Sequence, residues 1–172
     1  EIMRGFSGLG EKASLVFPGV DLHSLPREPA PKLKGVVRIG FFGHFHKIKG
    51  PDRLLDAFRE LKLRNAELVF EGADYNPDAV TKKILRESKG MRNVHVFVQR
   101  KDFLQLMLSC DFIVLPFRSS GSVLGISMAA LEAMALGTPV IASGESVFAD
   151  LITSGCNGLV VGSDEALRDA IK

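Results

Sequence analysis

The stretch VVRIGFFGHFHKIKGPDRLLDAFRELKLRNAELVFEG, residues 36–72, decides the fold. Its first eight residues, 36–43, are an apolar run that reads as a strand ending in Gly43. After a loop rich in His and Lys, residues 51–63 place Leu54, Leu55, Phe58 and Leu61 on one face at helical spacing, with Pro51 in the first turn. Residues 66–70 read as a second strand, closed by Glu71 and Gly72. Short, continuous, apolar strands joined through a helix are what a parallel sheet covered on both faces requires.

Working outward, the alternation continues. Residues 77–88 read as a helix, 94–98 as a strand, and 102–109 as a helix with Asp102 as its N-cap. A strand at 112–115 closes on Pro116, and a loop of Ser119, Ser120, Gly121 and Ser122 follows. Residues 126–135 read as a helix stopped near Gly137 and Pro139, 140–142 as a strand, and 146–152 as a short helix. A last strand at 159–161 precedes a last helix at 164–172. Upstream, residues 15–17 read as a short strand, 18–21 as a turn, and 26–34, with three prolines, as an extended linker. The expected fold is α/β: a doubly wound, Rossmann-like parallel sheet of about six strands. It occupies residues 35–172, with 1–34 as lead-in and interdomain linker. Ligands in such sheets bind at the carboxyl ends of the strands, where strand order reverses. That rule points to loops 43–50, 98–101 and 116–126.

Composition narrows the classes. The 172 residues suffice for one domain, and at 46% hydrophobic they can bury a core. A net charge of +2, with Lys and Arg dispersed, argues against a nucleic-acid partner. No apolar run reaches the roughly 20 residues that span a bilayer. Cys110 and Cys156 have no metal spacing and read as reduced thiols, so a cytoplasmic location is expected. The chain starts at Glu1 without a signal-peptide pattern and ends at Lys172 inside a helical pattern, so it is expected to be an excised domain. The glycines at 5, 8 and 10 do not lie between a strand and a helix and make no dinucleotide fingerprint.

Against that frame, the segment ALEAMALGTPVIAS, residues 130–143, resembles the signature of glycosyltransferase family 4, a retaining, metal-independent family of two-domain GT-B enzymes. Four further pieces fall in the family's order: FPGVD at 17–21, GHFHKIKG at 43–50, Glu71-Gly72, and CDFIVLP at 110–116. Each alone is weak; together they are strong. The resemblance implies the carboxyl-terminal, donor-binding half of a GT-B fold, with the amino-terminal acceptor domain absent. It implies a retaining hexosyltransferase-type enzyme whose fragment is inactive alone. Its substrate would be a nucleoside-diphosphate-sugar, with no cofactor and no metal. Membrane contact would come only through the missing domain.

A diphosphate needs positive charge, and the chain has no Asp-x-Asp pair for a divalent cation. Lys49, just before the helix at Pro51, can meet the phosphates as a point charge; the bland alternative is a solvated lysine. Where the family has Arg after the loop glycine, Gly43 is followed by His44, a weaker cation unless Lys47 substitutes. Two histidines, His44 and His46, do not make a metal site. Glu132 lies among Ile126, Met128, Leu131 and Met134, where a carboxylate needs a partner. By resemblance it accepts from the ribose hydroxyls. Lys49 and Glu132 are the residues expected to carry the chemistry. Free amides of Ile126, Ser127 and Met128 are expected at the diphosphate, with Gly125 permitting close approach. The base is expected against Val98, Gln99 and Arg100, with Arg100 and Lys101 as further candidates for the phosphates. One departure stands out: the first acid of the family's Glu-x7-Glu pattern is Leu124 here. That keeps open a non-catalytic nucleotide-sugar-binding module or degenerate transferase. A Rossmann-type oxidoreductase would use Glu71 as its strand-end acid, but residues 40–43 lack the glycine pattern. A ligand-free receiver-like domain is the last alternative.

Overall fold

The computed structural model describes residues 18–72, 78–119, 127–146 and 149–172. Six strands form one parallel sheet: β1 (Val37–Phe42), β2 (Ala66–Gly72), β3 (Val94–Val98), β4 (Phe112–Leu115), β5 (Val140–Ser143) and β6 (Gly158–Val161). Their spatial order is β3-β2-β1-β4-β5-β6. The chain therefore winds outward one way to β3, returns to the middle, and winds the other way. Strand order reverses between β1 and β4, where Ile39 pairs with Phe112 and Gly40 with Ile113. The expected doubly wound sheet is what the chain adopts.

The helices are α1 (Pro51–Leu61), α2 (Ala79–Ser88), α3 (Phe103–Leu108), α4 (Met128–Ala135) and α5 (Asp164–Ile171). Alternate strand residues feed two cores. Ile39, Phe41, Leu68 and Phe70 meet Leu54, Leu55 and Phe58 of α1, Ile84 of α2 and Leu167 of α5. Phe42, Val69, Ile113 and Leu115 meet Leu106 and Met107 of α3 and Ala130 and Ala133 of α4. Each fully buried side chain of this size contributes about 1.5–3 kcal/mol.

Several boundaries differ from the sequence reading, each for a local reason. α1 stops at Leu61 because Lys62 turns left-handed, φ 49°. Asp102 sits at the N-cap of α3 but makes no capping hydrogen bond, because its carboxylate pairs with Arg100 instead. The helix read from 126 begins at Met128, with Ser127 as its N-cap residue. The helix read at 146–152 is a 3-10 turn over Ala149–Leu151. α2 begins at Ala79, capped by Asp78 accepting from the Thr81 amide at 2.8 Å. The strand read at 15–17, Pro77, Leu124, Gly125 and Ile126 lie outside the described residues.

The proline-rich lead-in is tied to the amino-terminal edge of the sheet. Arg38, buried on β1, donates to Glu67 at 2.5 Å, Ser109 at 2.6 Å and the Pro31 carbonyl at 2.9 Å. Lys32 pairs with Asp111 at 2.7 Å, and the Ala30 amide donates to the Gln105 carbonyl at 2.9 Å. The end opposite this network is left open, and the site is found there.

Candidate functional site

A cavity of about 450 Å³ opens at the carboxyl ends of β1, β2 and β3, facing the start of α4. Phe42, Gly43, His44 and Lys49 form one part of its wall, Glu71 and Gly72 a second, Gln99, Arg100 and Phe103 a third. Ser127, Met128, Ala129 and Glu132 close it from α4.

Lys49 reaches the cavity because its loop is latched in place. Lys47–Lys49 forms a 3-10 turn, and Gly50 leaves it left-handed at φ 70°. A Cβ on Gly50 would lie 2.1 Å from the Pro116 carbonyl oxygen, so the loop lies directly on the exit of β4, and only glycine permits that approach. Arg118, just past that exit, donates to both oxygens of Asp52 at 2.7 and 2.8 Å and to the Lys47 carbonyl at 2.8 Å. Burial pushes the Asp52 carboxyl up, but the Arg118 guanidinium outweighs it and holds it below its usual range. Arg53 fastens the same exit, donating to the Pro116 and Phe117 carbonyls at 3.0 and 3.1 Å and pairing with Asp164 at 2.6 Å. The Lys49 ammonium rests over the Phe117 ring, 4.5 Å from its centroid. Burial lowers its pKa, and among the described residues it has no carboxylate partner.

Glu132 lines the cavity from α4. The side chain is half-buried, burial raises its pKa, and no cation pairs with it among the described residues. An unpaired carboxylate and an unpaired ammonium on one cavity are each costly at rest. Both become satisfied by a ligand carrying hydroxyl donors and an anionic group. The positive end of α4 adds to this: Ser127, Met128 and Ala129 line the cavity, while Ala130 and Leu131 are the first amides to bond within the helix, both to the Ser127 carbonyl. Among the described residues the Met128 and Ala129 amides have no acceptor, which suits them to an anionic ligand.

The structure thus brings together Gly43, His44, Lys49, Gln99, Arg100, Ser127, Met128 and Glu132. Of the amides expected at the start of α4, Ser127 and Met128 line the cavity, and Ile126 lies outside the described residues. Lys47 and Lys101 do not join them: Lys47 is exposed away from the cavity, and Lys101 lines a separate depression with Ser24 and Pro26. Arg100 is at the wall, but its guanidinium is occupied. It donates to Asp102 at 2.8 Å and lies over the Phe97 ring at 4.6 Å. Its amide donates to Glu71 at 3.0 Å. In the sequence Glu71 stands as part of the strand-end piece Glu71-Gly72 and as the acid an oxidoreductase would use, and the cavity shows its side chain in another setting. Its sequence signal is an acid ending an otherwise apolar strand. Nothing in the sequence announced Arg118 or Arg53 as latches, since their partners are 66 and 111 residues away.

Fold and cavity together define a doubly wound α/β domain with a cavity at the carboxyl ends of its strands, beside the strand-order reversal. The chain belongs to the glycosyl transferases group 1 family, whose model matches residues 36–172. It is 32% identical over 159 residues to an uncharacterized glycosyltransferase of Methanocaldococcus jannaschii, covering 88% of this chain and 40% of that protein. The carboxyl-terminal domain of the group 1 family protein LpcC from Francisella tularensis superposes with a TM-score of 0.70 at 24% identity, covering 89% of this chain and 86% of that one. HepE of Anabaena, solved in complex with UDP-glucose, superposes with a TM-score of 0.67 at 22% identity, covering 79% of this chain and 38% of that one. The chain spans about two fifths of the length of the curated relatives it matches. No helix among the described residues is long and apolar enough to cross a membrane.

Proposed function

We propose that the chain is the donor-binding, carboxyl-terminal domain of a cytoplasmic, retaining glycosyltransferase of family 4, taking a hexosyl group from a nucleoside-diphosphate-sugar. The observation that carries this reading is Lys49 and Glu132 lining one 450 Å³ cavity, each without an ion-pair partner among the described residues. The acidic wall accepts from the ribose hydroxyls. The ammonium and the Met128 and Ala129 amides meet the diphosphate without a metal. As the bond to the sugar breaks, negative charge grows on the departing diphosphate. Fixed donors already aimed there stabilise it without reorganisation. The group 1 family match, the LpcC domain of similar extent and the UDP-glucose held by HepE support the reading. The acceptor and the opposing wall of the reaction cleft belong to a further domain, in keeping with relatives more than twice as long. Domain closure would then exclude water from the cleft.

The test is calorimetric titration of the chain with UDP, GDP and ADP in EDTA-containing buffer. At least one should bind, with affinity insensitive to EDTA. No heat and no thermal shift with any of the three would end the reading.

A further inference from the structure

The cavity contains a polar group that the reading above leaves unused. Glu71 ends β2 with only 6% of its surface exposed. Its Oε1 accepts from the Arg100 amide at 3.0 Å, while its Oε2 is buried with no hydrogen-bond partner among the described residues. Buried carboxylate oxygens are rarely left this way.

The neighbouring loop explains why this matters for recognition. The sequence reading expects the base against Val98, Gln99 and Arg100. Two of these amides are already committed, Gln99 to the Gly72 carbonyl at 3.1 Å and Arg100 to Glu71. The Arg100 guanidinium is committed to Asp102. Glu71 also contributes to the wall of this cavity. The backbone amides of Gln99 and Arg100, and the Arg100 guanidinium, are therefore spent, while Glu71 Oε2 is a buried acceptor without a partner among the described residues.

We propose that Glu71 selects the base of the donor, its Oε2 accepting from the N1–H or N2–H of guanine, so that the site takes a guanosine-diphosphate sugar in preference to a uridine one. The inference rests on the cavity being a nucleotide-sugar site. Its chemistry follows from the base edges. Uracil sets its single N–H between two carbonyl oxygens, which a carboxylate repels. Adenine couples its amino group to a ring-nitrogen acceptor. Guanine offers two adjacent donors. The terminal torsion of a glutamate is soft, so a small rotation of the carboxyl offers Oε2 to the base within the tolerance of the Oε1 bond to the Arg100 amide. Burial raises the carboxyl's pKa, in keeping with an oxygen that lacks a partner until the ligand arrives.

Calorimetry of the 172-residue chain with GDP, ADP and UDP at pH 7.5 tests this. GDP should bind about tenfold or more tighter than UDP, the factor one charge-assisted hydrogen bond supplies. Glu71→Gln puts an N–H₂ donor where Oε2 stands, so it should weaken GDP by about tenfold or more and leave UDP unchanged or tighter. Equal affinity for GDP and UDP in the unaltered chain overturns the inference and leaves the nucleotide site standing. So does an equal loss for both nucleotides in Glu71→Gln. Failure of every nucleotide to bind overturns the site itself and the inference with it. The ranking in the unaltered chain needs no variant to fold.

Discussion

Replacing Lys49 with Met separates binding from folding. The methionine keeps an unbranched apolar stem over Phe117 and removes the charge. In the free protein two effects oppose each other. The ammonium gains about 0.5–1 kcal/mol from the ring it rests on, and it loses through the burial that lowers its pKa. The variant should therefore fold with stability within about 1 kcal/mol of the parent. Of the other side-chain cations that line the cavity among the described residues, Arg100 is already committed to Asp102. Losing a charge-assisted contact to a bound diphosphate costs roughly 1.5–3 kcal/mol, or about ten- to 150-fold in affinity. At a nucleotide concentration 100 times the parent's Kd, ligand stabilises the parent by about 2.7 kcal/mol. A variant bound about 50-fold more weakly gains only about 0.6 kcal/mol at that concentration. For a chain of this size the ligand-induced rise in Tm should fall from roughly 5–11 °C to about 1–3 °C. Differential scanning calorimetry with and without nucleotide reads both quantities. A Lys49→Met protein with an undiminished ligand-induced shift would refute the placement of the diphosphate at this lysine.

Three further outcomes follow from the same coordinates. Gly50→Ala meets the Pro116 carbonyl at 2.1 Å and a left-handed backbone, so it should cost at least about 3 kcal/mol in urea unfolding; a loss below 1 kcal/mol would mean the loop is not seated on the β4 exit. Glu132→Gln should weaken nucleotide binding yet raise the Tm of the free protein near pH 7. Burial raises this carboxyl's folded pKa, so its ionisation penalty is full above that pKa and absent below the unfolded value of about 4.3. The gain in Tm should shrink as pH falls through that window, and a gain independent of pH would contradict the assignment. Arg38→Ala leaves Glu67 buried without its partner at 2.5 Å, so thermal unfolding should show a loss of about 3–5 kcal/mol, or roughly 6–20 °C, with nucleotide affinity of the folded fraction unchanged.

The alternation of apolar runs and helical faces was enough to determine the elements, because parallel strands buried on both sides leave an unbroken hydrophobic signature. Lys49 before Pro51 and Glu132 in an apolar helix were legible for a related reason: each is a charge in a place that hydrophobic periodicity would fill otherwise. Element ends were less legible. Asp102 has the composition of a cap, yet Arg100, two residues earlier, takes its carboxylate, a local competition that cap preference alone does not record. What only the folded chain decided is which groups remain unsatisfied. Lys49 and Glu132 are 83 residues apart, and only the return of the chain from β3 to β4, beside β1, sets them on one cavity. The same closure spends the amides of Gln99 and Arg100 and leaves Glu71 Oε2 over. Local sequence records propensity and periodicity. Hydrogen-bond satisfaction is settled among residues far apart in the chain, and so belongs to the tertiary structure.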